Sequence, residues 1–210
     1  VFSNQKQAEK QLQEITELHR AIQENAGYAI ISTTTDGVFT SFNPAAERML
    51  GYSAAELIGL KTPALIHEPS EVAARAQEFS KELGIAIEPG FDVFVAKTQQ
   101  NLPNEHEWTY IRKDGSQLPV ILTVTALRDD KDQINGFLGI AVDITEHKQA
   151  EEKFRLMVEA TPNGLVMINK AGIITLANNQ MVKLFGYTRK ELTGLSIEML
   201  VPARFRASHP

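Results

Sequence analysis

Few side chains in this chain have the chemistry to turn over a substrate, and they do not gather by spacing. Among its 210 residues are five histidines and no cysteine. Without a thiol there is no disulfide, thiolate nucleophile, cysteine-based zinc site, iron–sulfur cluster or covalently attached haem. His106 stands between Glu105 and Glu107, but neighbours on a strand point to opposite faces and cannot converge on one reactant. His67 falls at the end of a short helix, where it is expected to cap or hydrogen-bond locally rather than hold a metal. Neither His67-Glu68-Pro69 nor His147 has the continuation of a phosphoacceptor histidine. No Gly-rich phosphate loop, nucleophile elbow or paired metal motif occurs. The expectation is no catalytic residue and no metal site. Binding chemistry remains: Trp108 and Tyr110 share one face of a strand. There they can stack on a flat ligand, or serve as ordinary sheet residues on the outer face.

Composition narrows the classes further. A hydrophobic fraction of 43% and a charged fraction of 22% are those of an ordinary globular protein. The formal net charge of −5, with no Lys/Arg run, argues against nucleic-acid binding. The longest apolar runs, Pro119–Val124 and Gly136–Val142, are far short of the roughly 18 residues a membrane span needs. The expectation is a cytoplasmic piece of a longer protein, which can itself be membrane-anchored elsewhere.

Internal repetition decides the organisation. Lys6-Gln7-Ala8-Glu9-Lys10-Gln11-Leu12 recurs as Lys148-Gln149-Ala150-Glu151-Glu152-Lys153-Phe154. Asp36-Gly37-Val38-Phe39-Thr40-Ser41-Phe42-Asn43 returns as Ala171-Gly172-Ile173-Ile174-Thr175-Leu176-Ala177-Asn178, and Leu50-Gly51-Tyr52 as Phe185-Gly186-Tyr187. The helical blocks are offset by 142 residues and the later ones by 135, a difference of one heptad. The chain is one module written twice, with a variable helical lead-in.

Within the first copy, Ala8, Leu12, Ile15, His19 and Ile22 form an apolar seam at spacings of four and three. That seam suits a coiled-coil dimer or a helix lying on its own domain. Tyr28–Thr33 and Val38–Phe42 read as a hairpin turning at Asp36-Gly37. Asn43-Pro44 opens a short helix, Ser53-x-x-Glu56 a second, and Ser70 is expected to cap a longer one ending at Leu83. Gly90–Gln100 reads as a further helix. Glu107–Arg112, Gln117–Leu127 and Asn135–Ile144 read as strands, the last two apolar on both faces and so needing cover on both.

Taken together and in order, several pieces resemble the PAS domain family of sensory modules. They are Asp36-Gly37, Phe42-Asn43-Pro44-Ala45-Ala46-Glu47, Leu50-Gly51-Tyr52, Glu56-Leu57-Ile58-Gly59, Leu65-Ile66-His67, Arg112-Lys113-Asp114-Gly115-Ser116, Gly136-Phe137-Leu138-Gly139 and Asp143-Ile144-Thr145-Glu146. The resemblance implies an α+β fold, a five-stranded antiparallel sheet with short helices on one face. It divides the chain into an N-terminal helix (1–26), a first PAS domain (27–145), a connector helix (146–160) and the first half of a second PAS domain (161–210). The second copy is incomplete, since two strands cannot close such a sheet.

Its functional implications concern signalling. Such modules sit upstream of output domains, commonly a histidine kinase in bacteria, and homodimerise through the N-terminal helix and the sheet. Dimer-seam residues would be Ala8, Leu12, Ile15 and Ile22. Asp143 would pair with Arg112 or Lys113, leaving Thr145 to cap the connector helix and couple the last strand to it. The pocket between sheet and helices is where relatives hold cofactors. A redox-sensing flavin (FAD) would use Asn43, Trp108 and Tyr110. Haem would use His209, in the Leu200–Pro210 segment of the second copy. Flavin is preferred to haem; a small carboxylate, a lipid-like molecule or no ligand are the other readings.

Overall fold

The computed structural model describes residues 26–202, Arg204, and the separate positions 7, 10, 13, 14, 16, 17 and 21. The chain divides into two compact units, residues 1–145 and 146–210.

In the first unit, β1 (Ala29–Thr33) and β2 (Phe39–Phe42) make the hairpin, followed by α1 (Pro44–Leu50) and α2 (Ala54–Leu57). A 3-10 turn (Pro63–Ile66), α2's successor in the chain, leads into α3 (Pro69–Leu83) and α4 (Phe91–Gln99). Strands β3 (Glu105–Ile111), β4 (Gln117–Arg128) and β5 (Ile134–Asp143) complete an antiparallel sheet of order β2-β1-β5-β4-β3. The expected α+β architecture is therefore present. Asn43 caps α1, with Pro44 at its first turn, and Ser53 and Glu56 form the capping box of α2. The long helix departs from expectation: its cap residue is Glu68, not Ser70. Proline lacks an amide hydrogen and is preset for the helix, so Pro69 takes the first helical position and moves the boundary back.

Strand parity sorts the sheet into two faces. Ala29, Ile31, Trp108, Tyr110, Leu118, Val120, Leu122, Phe137 and Ala141 are buried and join the core beneath the helices. Ile30, Ile121, Leu138 and Ile140 lie half-buried on the opposite face, and Val142 is exposed there. The seam residues of the lead-in helix expected to cover that face, Ala8, Leu12, Ile15 and Ile22, lie outside the described residues.

The second unit repeats the opening of the first. After α5 (Thr145–Ala160) come β6 (Val166–Ile168) and β7 (Ile174–Ala177) as a two-stranded sheet, then α6 (Asn179–Phe185) and α7 (Arg189–Leu192). Asn178 repeats the bonds that Asn43 accepts. Each side-chain oxygen accepts the amide three residues on, at Met181 or Ala46, and a second from the preceding strand region, at Leu165 or Ile30.

Candidate functional site

The inner face of the first unit's sheet does not close fully against its helices. Ile31 and Thr33 on β1, Phe137 and Gly139 on β5, Leu122 and Val124 on β4 and Tyr110 on β3 form one wall of a cavity of about 40 Å3. Register brings them together: Ile31 lies opposite Gly139, Thr33 opposite Phe137, and Gly139 opposite Val124. The missing side chain of Gly139 leaves the room. A Cβ there would sit 3.3 Å from Leu122 Cδ1. Phe39, Pro63, Ile66 and His67 form the other wall with Phe91, Phe94 and Val95 of α4. A space of this size admits a few water molecules or a guest of a few heavy atoms.

Helix α4 supplies three residues of that wall and is held at several points. Phe91 lies on the hairpin turn, so close that a Cβ on Gly37 would meet its ring at 2.5–2.9 Å. Thr98 Oγ1 donates to Val124 O at 3.0 Å, and Asn104 Nδ2 donates to Phe94 O at 2.6 Å. Lys97, 8% exposed, pairs with Glu82 at 2.9 Å, and its ammonium lies 4.5 Å from the centre of the Phe79 ring. The helix expected at Gly90–Gln100 therefore covers the cavity, with Phe91, Phe94 and Val95 in its wall.

His67 is the most unusual group at the site. It is 2% exposed, and a backbone bridge to Tyr110 fixes its position. Its ring packs on Phe94 (4.0 Å between centres), Tyr110 (4.7 Å) and Trp108 (5.3 Å). Nδ1 lies 2.7 Å from Pro63 O. A carbonyl only accepts, so Nδ1 carries the hydrogen. Burial lowers the imidazole pKa to about 4, against a smaller opposing effect of the Pro63 bond. The ring is thus neutral at physiological pH, and Nε2 is a buried lone pair without a partner. Thr33 Oγ1, on another residue lining the cavity, is likewise buried without a partner. The local bond expected for His67 is present; its burial in a cavity wall was not anticipated.

The residues expected to hold a flavin do not assemble around this space. Tyr110 lines it, whereas Asn43 and Trp108 do not. Asn43 is committed to the backbone: it accepts from Ala46 N and Ile30 N and donates to Tyr28 O. Trp108 faces the helices rather than the outer face, but it is enclosed by His67, Phe94 and the Arg75 guanidinium, 5.1 Å from its ring centre. Three fused flavin rings do not fit a space for a few waters, and no residue among its lining is a cation for a carboxylate. His209, the expected haem ligand, lies outside the described residues. Among the described residues, no group of three or more His, Asp or Glu is placed to hold a metal.

The expected coupling pairs are also different. Arg112 donates to Met49 O at 2.9 Å and Ser116 Oγ at 3.1 Å, and Lys113 pairs with Glu56 at 2.5 Å. That ammonium is the main reason the Glu56 carboxyl is held down at about 2. Asp143 instead accepts from Thr145 N at 2.7 Å, so Asp143 and not the Thr145 hydroxyl supplies the turn bond where β5 passes into α5.

The described helices include none long and apolar enough to cross a membrane. Comparison with protein families matches residues 25–146 to the PAS domain and residues 152–208 to the PAS fold. This chain belongs to the PAS domain family. Its two PAS modules resemble parts of much longer signalling proteins. A protein named as a probable serine/threonine-protein kinase of Dictyostelium discoideum is 29% identical over 175 residues, 82% of this chain and 10% of that protein. The sensor histidine kinase TmoS of Ectopseudomonas mendocina is 29% identical over 133 residues, 63% of this chain and 12% of TmoS. This PAS chain therefore spans only a small part of the curated relatives it matches. Among solved structures, a PAS domain from Colwellia psychrerythraea superposes with a TM-score of 0.51 at 20% identity, covering 63% of this chain and 98% of that one.

Proposed function

We propose that this tandem PAS segment is the sensory and relay part of a bacterial sensor histidine kinase. The first module's cavity reads a small ligand, and helical linkers carry the change to an output domain on the same chain. One observation supports this most directly. Strand β5 lines the cavity at Phe137 and Gly139 and ends at Asp143, whose carboxylate holds the first amide of α5. A guest pressing on β5 acts on the strand that starts the connector. The kinase relative supports the choice of output. Homodimerisation through the lead-in helix and the sheet's half-buried outer face is part of the same proposal.

A ligand-free relay module is the second reading, favoured by the aromatic packing that already occupies most of the pocket. Gly139→Val in the parent kinase separates the two. Filling the cavity is expected to change basal autophosphorylation about fivefold or more, the lower end of a typical coupling between sites. Unchanged autophosphorylation would favour the pure relay.

A further inference from the structure

We propose that the guest of the first module's cavity is a small uncharged hydroxyl compound, donating its hydrogen to His67 Nε2 and accepting one from the Thr33 hydroxyl. This rests on the reading of the cavity as the sensing site. Apart from His67, Thr33 and the Tyr110 phenol, every lining residue is apolar, so the body of the guest is apolar. No Lys, Arg, Asp or Glu lines the space. A carboxylate, phosphate or ammonium would enter without a counter-charge, which burial penalises heavily. The imidazole does not supply one, since its depressed pKa keeps it neutral.

The two orphaned atoms set complementary demands. His67 Nε2 can only accept, because Nδ1 already holds the ring hydrogen against Pro63 O. Thr33 is 6% exposed on the inward side of β1, and its buried Oγ1 has a hydrogen to give. A hydroxyl answers both; a hydrocarbon answers neither, and an ether leaves His67 unsatisfied. Leaving one buried acceptor unpaired is expected to weaken binding about tenfold.

The test uses the nitrogen-15-labelled 210-residue chain, titrated with 1-butanol and with its isomer diethyl ether while the imidazole nitrogens are followed by NMR. The alcohol is expected to bind saturably, about tenfold tighter than the ether, and to move the Nε2 resonance of His67. Thr33→Val, nearly isosteric and expected to fold, should weaken alcohol and ether alike several-fold, since either oxygen accepts from the Thr33 hydroxyl, and leave the alcohol's advantage over the ether in place. Equal affinities for alcohol and ether, or an unaffected Thr33→Val, would overturn the hydroxyl assignment while leaving the cavity a ligand site. Saturable shifts confined to other surfaces, with none at the cavity, would overturn both the assignment and the sensing reading.

Discussion

Alanine at Gly37 tests how α4 is held over the cavity. Gly37 has φ +84° at the turn of the first hairpin, where an L-residue costs roughly 1–2 kcal/mol. The new methyl would also lie 2.5 Å from Phe91 Cγ. Rotation about χ2 cannot move Cγ, so either χ1 changes or the helix lifts. Overpacking of this kind adds about 1–3 kcal/mol. Gly172 is the matched control: φ is +73°, and its nearest contact would be Ile197 Cγ2 at 3.9 Å. Gly37→Ala should therefore cost about 2–5 kcal/mol and Gly172→Ala only about 1–2. Trp108, the single tryptophan and 3% exposed, reports urea unfolding of the first unit by fluorescence; circular dichroism follows the second. In a Phe91→Ala background, the cost of Gly37→Ala should fall to the conformational part alone. Additive costs in that cycle would refute the seating of Phe91 on the turn.

Three further outcomes are expected. His67 has a folded pKa of about 4 against an unfolded value of 6.5, so the unfolded chain binds its proton first as pH falls. The stability it contributes should be complete above pH 6.5 and be lost toward pH 4, on the order of 3 kcal/mol in all, at about 1.4 kcal/mol per pH unit. Urea unfolding of wild type and His67→Gln across that range measures it; parallel curves would contradict it. Asn43→Ala removes the α1 cap and the partner of Ile30 N, and should destabilise the first unit by about 2–4 kcal/mol in the same fluorescence assay. A double-mutant cycle between Arg112→Ala and Asp143→Ala should show coupling within about 0.5 kcal/mol of zero, because the two side chains bind different partners; a larger coupling would restore the expected pair.

Local signals carried the fold. The Asp36-Gly37 turn, the Asn43-Pro44 cap and the Ser53/Glu56 capping box each satisfy backbone groups within a few residues, and all are legible without tertiary information. The duplication was legible for the same reason: the side-chain oxygens of Asn43 and Asn178 accept from equivalent backbone amides. The site was not, because it depends on register and burial. Thr33, Leu122 and Gly139 share a cavity only through pairings between strands distant in sequence. His67 resembles a local cap until its bridge to Tyr110, far along the chain, encloses it. A glycine among the apolar residues of β5 and a threonine at an inward position of β1 were the available hints. Parity placed Trp108 and Tyr110 on one face, but only the helices packed above them determine which. The Asp143 pairing was not legible because Arg112 and Lys113 engage Met49 O and Glu56, which lie farther from them along the chain than Asp143 does and are brought to them only by the folded packing.

Xenon under pressure tests most directly whether the first module encloses a ligand cavity, since apolar cavities take up the atom without hydrogen bonds. A crystal of the chain treated this way is expected to hold xenon beside Phe94, Val95, Leu122 and Gly139. No xenon there, with Phe91 or Phe94 turned inward to fill the space, would contradict a sensing role for this cavity.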